Sequence, residues 1–203
     1  MRIRPVGANA LLLECDDAGK VEAWRAELWQ RRTGGELSAT EIVPAARTVL
    51  VDGVPDPDTV ATLIAGWRPT PAAGTEPNTD LKIPTVYDGV DLPDVAAGWG
   101  VTVTEAVRRI SETELRVAFC GFAPGFGYLT GLPEKWAVPR LATPRPRIPA
   151  GSVALAGPYA GIYPTASPGG WRLVGRTDVT LFDVAHDPPA RLIPGTRVRL
   201  VAA

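Results

Sequence analysis

The sequence contains little histidine, cysteine or lysine. Among 203 residues there are one histidine, His186, two cysteines, Cys15 and Cys120, and three lysines. Metal sites built from histidine and cysteine need several such ligands close together, so we expect no metal. His186 lies in the loop-like segment FDVAHDPP and is predicted to be a surface residue. Both cysteines lie in apolar, strand-like runs and are predicted to be buried free thiols.

Long apolar runs and an excess of one charge are also missing. No stretch approaches the ~18 apolar residues of a transmembrane helix. The apolar run in MRIRPVGANALLLEC is too short for a signal peptide and lacks a small-residue cleavage site. A formal net charge of −1 offers no electrostatic footprint for nucleic acid or an anionic membrane. These features predict a cytoplasmic protein with neither kind of partner.

The motifs of self-contained enzymes are absent as well. The sequence has no G-x-x-x-x-G-K-[ST], no G-x-G-x-x-G after a strand and no H-E-x-x-H. The segment AGSVA around Ser152 lacks the second glycine of a nucleophile elbow. The single histidine also has no orienting carboxylate in a triad arrangement. A self-contained serine or cysteine hydrolase is therefore not expected.

What the chain does have is enough apolar sequence, 45% of its residues, to bury a core. Residues 1–70 alternate strand-like runs with two helical patterns, one over 17–32 and one ending at Trp67. This region is predicted to be a small α+β domain with helices on one face of an antiparallel sheet. Residues 71–80, within the proline- and glycine-rich segment RPTPAAGTEPNTD, are predicted to be a linker.

Residues 81–203 are predicted to form a second domain that is richer in β-structure. The strand-like run KIPTVYDG is followed by helical patterns over 92–97 and 102–110, the second with the Thr102 and Glu105 spacing of a capping box. Short β-rich runs then follow, separated by proline and glycine: LRVAFCGF, SVALAG, WRLVGRT, VTLFDV and TRVRLVA. This pattern predicts a closed or sandwiched β-structure.

Three unusual loops in this second region are candidates for function: GFAPGFGYLTGLP, VPRLATPRPRIPAGS and GIYPTASPGGWRLVGRT. Proline stiffens the second loop, so its arginines lose little entropy when they are held in place. Guanidinium groups suit carboxylates and phosphates, and Arg145 and Arg147 are spaced so that both could reach one anion. The glycines of SPGGW would let backbone amides approach a ligand closely.

The same residues also fit other roles. Arginines on proline-rich loops are often solvated or paired across a subunit interface, and Gly-Gly before an aromatic residue can be a barrel corner. Tyr128, Tyr163 and Trp171 are equally suited to packing in the core or at its rim. On spacing alone, a ligand site and a subunit interface are favoured equally.

The segment from Gly121 to Asp183, followed by LIPGTRVRL, closely resembles one protein family. That family includes the B component of the multi-subunit bacterial 5-oxoprolinase, the KipI kinase inhibitor and proteins labelled allophanate hydrolase subunit 1. The run KIPTVYDG and, more loosely, the N-terminal region resemble it too. The resemblance implies an α+β fold in which a small N-terminal α+β domain is followed by a cyclophilin-like β-barrel domain.

The family resemblance also implies a function. It points to the B component of an ATP-dependent 5-oxoprolinase, which opens the lactam of 5-oxoproline to give glutamate. The implied partners are a homologous, KipA-like C component, which would share the active site, and a lactam-utilisation A component. Sharing a site would explain why this chain lacks catalytic motifs of its own. The alternatives are a KipI-like inhibitor of a histidine kinase and a carboxyltransferase-like subunit of allophanate or urea metabolism.

The resemblance finally selects candidate site residues. Those expected to bind anions in catalysis are Arg145, Arg147 and Arg176. Those expected to contact the substrate or the partner chain are Pro124, Gly125, Phe126, Tyr128, Arg140, Gly151, Ser152, Tyr163, Pro164, Ser167, Gly169, Gly170, Trp171 and Thr177.

The chain departs from the family pattern at three positions. A histidine is common in the family near Ile110, the loop often reads GFPYL where Gly127 stands here, and PGD is common where the chain has Thr196. If the family's histidine is catalytic, the first departure bears directly on activity.

Overall fold

A computed structural model describes residues 1–69 and 80–203 of the chain. The chain divides into two compact units, Met1–Glu76 and Pro77–Ala203. The predicted linker lies outside the described residues except for Asp80, which begins a strand. No helix in the described ranges is both long and apolar enough to cross a membrane.

Within residues 1–69, the first unit consists of a four-stranded antiparallel sheet and two helices. The strands are β1 (Arg2–Val6), β2 (Ala10–Glu14), β3 (Glu41–Pro44) and β4 (Thr48–Asp52), in the order β1-β2-β4-β3. The helices are α1 (Ala18–Thr33) and α2 (Pro57–Gly66). Each helix begins after an aspartate whose side chain accepts a hydrogen bond from a backbone N–H of the first turn. This is the α+β arrangement that the sequence predicts.

The core of the first unit lies between this sheet and its helices. Leu13 of β2, Val49 of β4 and Leu28 of α1 are all fully buried in it. From α2 only Ile64 is buried, whereas Trp67, predicted to lie inside the helix, caps its C-terminal end. The helical pattern is therefore confirmed, but its last apolar residue packs from outside the helix.

The second unit contains a seven-stranded sheet, a two-stranded ribbon and two α-helices among its described residues. The sheet has the order β12-β9-β10-β7-β6-β13-β5. Its strands are β5 (Asp80–Thr85), β6 (Leu115–Cys120), β7 (Gly127–Thr130), β9 (Ser152–Ala156), β10 (Tyr159–Ile162), β12 (Arg172–Arg176) and β13 (Arg197–Ala202). The ribbon pairs β8 (Arg145–Ile148) with β11 (Ser167–Gly169), and the helices are α3 (Leu92–Gly98) and α4 (Val103–Glu112).

The seven-stranded sheet closes on itself. Its two edges are β12 and β5, and just beyond β5 the backbones of Val86 and Arg176 exchange two hydrogen bonds, each 2.9 Å long. Next to this bridge, the Tyr87 hydroxyl donates to the carbonyl oxygen of Leu200 at 2.7 Å. The second unit is therefore a nearly closed barrel, which confirms the predicted fold class.

The Val86→Pro variant tests this closure. Proline has no backbone N–H, so the hydrogen bond to the Arg176 carbonyl oxygen is lost, and the free energy of unfolding should fall by about 1–3 kcal/mol. Val86→Ala is the matched control because it keeps both hydrogen bonds and only trims a side chain that is 37% exposed. Its effect should stay within about 0.5 kcal/mol. Urea unfolding measures both, and equal stabilities would contradict closure at this bridge.

Successive side chains of β9 point alternately into and out of the barrel, and both faces of this strand are buried. Val153 and Leu155 point into the barrel interior, whereas Ala154 and Ala156 belong to a separate apolar cluster on the outer face. All five residues of β9 are buried. Because β9 is buried on both faces, other side chains must cover the outside of the barrel at this strand.

Some elements differ from those predicted. The run VTLFDV is not a strand but irregular chain with a single bridge between Phe182 and Ala190. Conversely, the three predicted loops contain β7, β8 and β11. Thr102 caps α4 by accepting the Glu105 N–H at 3.2 Å. The Glu105 side chain pairs with two arginines of its own helix, so only half of the capping box is confirmed.

Candidate functional site

The three glycine- and proline-rich segments meet on the outer face of the barrel. Phe126 comes from the first segment, Ile148 from the second, and Tyr163 and Trp171 from the third, and all four pack in one buried cluster. Further rings extend this cluster. We call the set the aromatic layer: Phe119, Phe122, Phe126, Tyr128, Tyr159, Tyr163 and Trp171. The structure thus brings together segments that are far apart in the sequence.

Phe126 lies at the centre of the aromatic layer. Its ring centroid is 5.1–5.6 Å from those of Phe122, Tyr128, Tyr163 and Trp171, and all four pairs meet edge to face. The side chain is 2% exposed. Rings in this geometry attract one another beyond simple burial, so Phe126 holds the layer together.

Two glycines make room for the rings. A Cβ on Gly161 of β10 would lie 2.8 Å from Phe126 Cζ and 2.9 Å from Trp171 Cζ3. A Cβ on Gly169 of β11 would lie 2.3 Å from the Tyr163 hydroxyl oxygen. The glycines of the predicted loops are therefore contact surfaces for aromatic side chains of the same chain.

Tyr163 is buried in the aromatic layer, against the ribbon of β8 and β11. Burial raises the pKa of its hydroxyl, while the positive charge of Arg140 and a hydrogen bond from the Trp171 N–H offset this only in part. The phenol is therefore neutral at physiological pH. The Arg140 guanidinium lies beside Gly170.

Two of the predicted anion-binding arginines are engaged by aspartates of the same chain. Arg145 donates two hydrogen bonds to Asp91, from Nη1 to Oδ2 and from Nη2 to Oδ1, each at 2.8 Å. Arg176 donates from Nε to Asp88 Oδ2 at 2.9 Å. Both aspartates lie between β5 and α3, a segment that the sequence did not mark as part of a site.

Arg140 and Arg147 differ from these paired arginines. Both are exposed, and neither has a carboxylate partner among residues 1–69 and 80–203. Arg140 lies beside the aromatic layer, and Arg147 lies on the ribbon strand β8. They are thus the site arginines that remain available to an external anion.

Asp91 is a site residue that sequence reasoning missed. It is 4% exposed and accepts a hydrogen bond from the Leu173 N–H at 2.7 Å in addition to those from Arg145. Burial opposes its charged form, but the hydrogen bonds from Arg145 and Leu173 outweigh that effect, so the pKa of this carboxyl lies below its usual range. From the sequence, an aspartate just before a helix is predicted to cap that helix. The pattern therefore gives no sign that Asp91 binds an arginine instead.

Phe122 is a second residue that sequence reasoning missed. Its φ is 70°, and the Ala123 N–H donates to the Gly121 carbonyl oxygen at 2.8 Å. This is a γ-turn with positive φ, which is rare and strained for a residue with a large side chain. The ring is nevertheless 58% exposed. The strained turn thus holds an aromatic ring in solvent at the rim of the aromatic layer.

Several predicted site residues support the backbone beneath the layer. Gly151 has a φ of 78°, donates its N–H to the Tyr163 carbonyl oxygen at 2.7 Å and accepts the Thr177 N–H at 2.9 Å. Ser152 and Thr177 are both 6% exposed. These residues connect β9 to the chain on either side of it, and their contacts lie within the protein.

The other predicted residues lie around the same region. Pro124 is exposed and Pro164 is half-buried. Ser167 Oγ donates to the Thr165 carbonyl oxygen at 3.1 Å within the turn that leads into β11. A Cβ on Gly125 would lie 2.6 Å from Phe182 Cβ, so this glycine seats the first loop against the irregular segment after β12.

A cavity in the second unit lies away from the predicted site residues. Its volume is about 560 Å³, and it is lined by residues between 180 and 193 together with Leu81 and Thr196. None of the predicted site residues lines it. The exposed members of the predicted set, Pro124, Arg140 and Arg147, lie on the surface of the barrel instead, which suits a site that a second chain completes.

The three departures from the family pattern lie outside the aromatic layer. Ile110 is fully buried in the barrel core. A Cβ on Gly127 would lie 3.1 Å from Leu192 Cβ and 3.3 Å from Val117 Cγ1, so this position faces the barrel interior. Thr196 lines the cavity just described. A difference at any of these positions would act on packing or on that cavity.

The described residues offer little to a metal ion, and their helix ends offer little to a phosphate. No group of three His, Cys, Asp or Glu side chains that could hold a metal occurs in the described ranges. Each of the four α-helices described carries a carboxylate at its N-cap or in its first turn. Such a charge disfavours an anion there, so these helix ends do not suit the phosphates of ATP.

The cysteines and the histidine do not contribute to the aromatic layer. Both thiols are free; Cys15 is buried as predicted, and Cys120 is only half-buried. Burial raises the pKa of Cys120 to about 11, and its Sγ donates to the Leu192 carbonyl oxygen at 3.1 Å, so it is not a thiolate nucleophile. His186 is 67% exposed beside Asp183, which confirms the predicted surface position.

Comparison with known proteins identifies the family. The model of the carboxyltransferase domain, subdomains C and D, matches residues 1–192. The B component of 5-oxoprolinase from Escherichia coli O157:H7 is 38% identical in an alignment that covers 97% of this chain and 93% of the relative. The chain belongs to the family of 5-oxoprolinase B components. A second member, from Haemophilus influenzae, is 34% identical over 99% of this chain and 97% of its own length.

Solved structures share the fold of this member of the 5-oxoprolinase B family. TTHA0988 is 30% identical with a TM-score of 0.78 over 97% of this chain, which spans only 40% of that longer protein. Kluyveromyces lactis urea carboxylase is 16% identical with a TM-score of 0.70, and this chain spans 21% of it. The second likeness is one of fold alone, so it supports the carboxyltransferase-type architecture without carrying an activity to this chain.

Proposed function

We propose that this chain is the B component of an ATP-dependent 5-oxoprolinase, an amide hydrolase that opens the lactam of 5-oxoproline to give glutamate. The near full-length likeness to the B component of Escherichia coli, at 38% identity, carries this proposal. The chain works in the cytoplasm within a hetero-oligomer, together with a homologous C component and a lactam-utilisation A component. ATP, used by the assembled complex, activates the lactam carbonyl, whose carbon is a poor electrophile because the ring nitrogen donates electron density to it.

The site geometry supports one wall of an active site that two chains share. The exposed ring of Phe122 and the rim of the aromatic layer offer apolar contact to the ring of the lactam. Arg140 and Arg147 offer their exposed guanidinium groups to the carboxylate of 5-oxoproline or to the negative charge that develops as the lactam opens. Cys120 is protonated, and the reacting groups come from the partner chain.

Co-expression with the C and A components tests the proposal. We expect no turnover by the isolated chain and ATP-dependent release of glutamate from 5-oxoproline by the assembly. Arg140→Gln and Arg147→Gln should each lower kcat/KM by about 10-fold to 100-fold, the effect of removing a hydrogen bond to a charged group. Glutamate is measured with ATP present and with ATP omitted.

Arg199→Gln is the matched control for the arginine variants. Arg199 is half-exposed on β13 and pairs with Glu114 at 3.6 Å, and we expect its loss to leave kcat/KM unchanged. Absence of turnover in the intact assembly would contradict the 5-oxoprolinase proposal and favour the kinase-inhibitor alternative. Wild-type turnover in both site variants would contradict their role in binding the anion.

A further inference from the structure

Asp91 occupies the N-cap position of α3 but does not cap the helix. Its side chain accepts no hydrogen bond from a backbone N–H of α3, although aspartate is among the best N-cap residues. The side chain is only 6% exposed and contacts β8 and β12 instead. A buried carboxylate needs compensating partners, so the partners that Asp91 has are informative.

Those partners bind Asp91 at three points. Arg145 of β8 supplies two parallel hydrogen bonds of 2.8 Å, and the Leu173 N–H of β12 supplies a third of 2.7 Å. Arg172 Nη1 lies 4.0 Å away and also pairs with the exposed Asp94 at 3.3 Å. A bidentate pair fixes the plane of the guanidinium as well as its distance. Asp91 therefore joins the start of α3 to two strands.

The strand that Asp91 holds belongs to the ribbon beside the aromatic layer. Arg145 pairs with Gly169 of β11 in the register of the ribbon, and Gly169 packs against the Tyr163 hydroxyl. An isolated two-stranded ribbon is marginally stable in water, so its position depends on outside contacts. Ile148 supplies an apolar contact at one end of β8, and the Asp91–Arg145 pair supplies a charged one at the other.

We propose that Asp91 is a positioning residue for the substrate site. By holding Arg145, it fixes the ribbon of β8 and β11, so that Arg147 on the same strand and Arg140 beside Gly170 face the anionic group of the substrate. In this arrangement, Arg145 acts through the ribbon and does not itself bind the anion. The inference rests on the proposed 5-oxoprolinase function and names a residue that the family resemblance did not select.

The first test uses the assembled enzyme. Asp91→Asn keeps the shape of the side chain but removes its charge, and we expect the KM for 5-oxoproline to rise about 10-fold with kcat changed less than threefold. Arg145→Gln should do the same, and the double variant should be no worse than the worse single variant because both act through one pair. Asp94→Asn is the matched control, since it removes an exposed partner of Arg172 only, and should leave KM unchanged.

A wild-type KM for Asp91→Asn, or additive effects in the double variant, would overturn the proposal. A merely structural role would lower thermal stability while leaving KM unchanged at temperatures well below unfolding. A raised KM with a nearly unchanged kcat therefore indicates a positioning role, whereas lower thermal stability with an unchanged KM indicates a purely structural one.

The second test needs no turnover and uses the isolated chain. Asp91→Asn should speed amide hydrogen exchange in residues 145–148 and 167–169 by at least about 10-fold, while residues 152–156 of β9 keep their protection. Unchanged exchange in the ribbon, or equal acceleration in β9, would overturn the role of Asp91. Because this measurement is independent of substrate, it distinguishes failure of this inference from failure of the proposed function.

Discussion

Replacing Phe126 with alanine should lower the free energy of unfolding by about 3–5 kcal/mol, the usual cost of truncating a buried phenylalanine. Phe126 is 2% exposed and meets four other rings edge to face. Those rings are carried on different strands and turns, so they cannot all move inward to fill the space. The cavity left behind should therefore persist and add to the loss of apolar contact.

Phe122→Ala is the matched control for this variant. It removes the same atoms from a ring that is 58% exposed, so we expect a loss below about 1 kcal/mol. Urea unfolding followed by circular dichroism gives both values. Equal losses would show that the aromatic layer is not anchored at Phe126. In the assembled enzyme the ranking should differ, since Phe122 lies at the exposed rim where a substrate or partner makes contact.

Gly151→Ala should lower the free energy of unfolding by about 3 kcal/mol. The new methyl group would lie 2.1 Å from the Thr177 carbonyl oxygen, which belongs to the backbone and cannot rotate away. Overpacking of this kind costs about 1–3 kcal/mol. The φ of 78° adds about 1–2 kcal/mol for any residue with a Cβ.

Gly157→Ala separates these two costs. Gly157 also has a positive φ, 54°, but nothing lies within 4 Å of its Cβ position. It should therefore show only the backbone cost of about 1–2 kcal/mol. The difference between the two unfolding free energies then measures the contact with Thr177. If Gly157→Ala is as damaging as Gly151→Ala, that contact is not what makes Gly151 necessary.

The elements that could be predicted from the sequence are those with a clear period. The α1 and α4 segments carry apolar residues at helical spacing, and β9 and β13 are short apolar runs between turns. By contrast, β7, β8 and β11 contain glycine and proline, which are depleted in strands generally. In β11, Gly169 lies so close to the Tyr163 hydroxyl that there is no room for a side chain. A tertiary contact, and not the strand propensity of the residue, therefore explains this glycine.

The run VTLFDV is predicted to be a strand, but it is irregular in the structure. It has strand-like composition, yet only the bridge at Phe182 pairs with other backbone. Leu181 is buried in the barrel core, so the apolar residues of this run serve packing. Composition alone cannot distinguish a residue that packs in a core from one that also belongs to a strand.

The candidate site could be predicted in part. The three segments that form the aromatic layer stand out by their glycine, proline and aromatic content, and the resemblance names most of their residues. The aspartates that hold Arg145 and Arg176 are 54 and 88 positions away in the sequence. Ion pairs over such separations leave no local pattern, so Asp91 and Asp88 become visible only in the folded chain.

The position of β13 has a consequence for how the second unit folds. This strand lies between β5 and β6, and the ion pair of Asp80 and Arg197 at its start joins residues 117 positions apart. Contacts of such high sequence separation slow folding, because the chain loses the entropy of a long loop before these contacts can stabilise it. During synthesis, the edges of β5 and β6 that pair with β13 therefore stay unpaired until β13 has left the ribosome. The sheet cannot be completed by adding strands in the order in which they are synthesised.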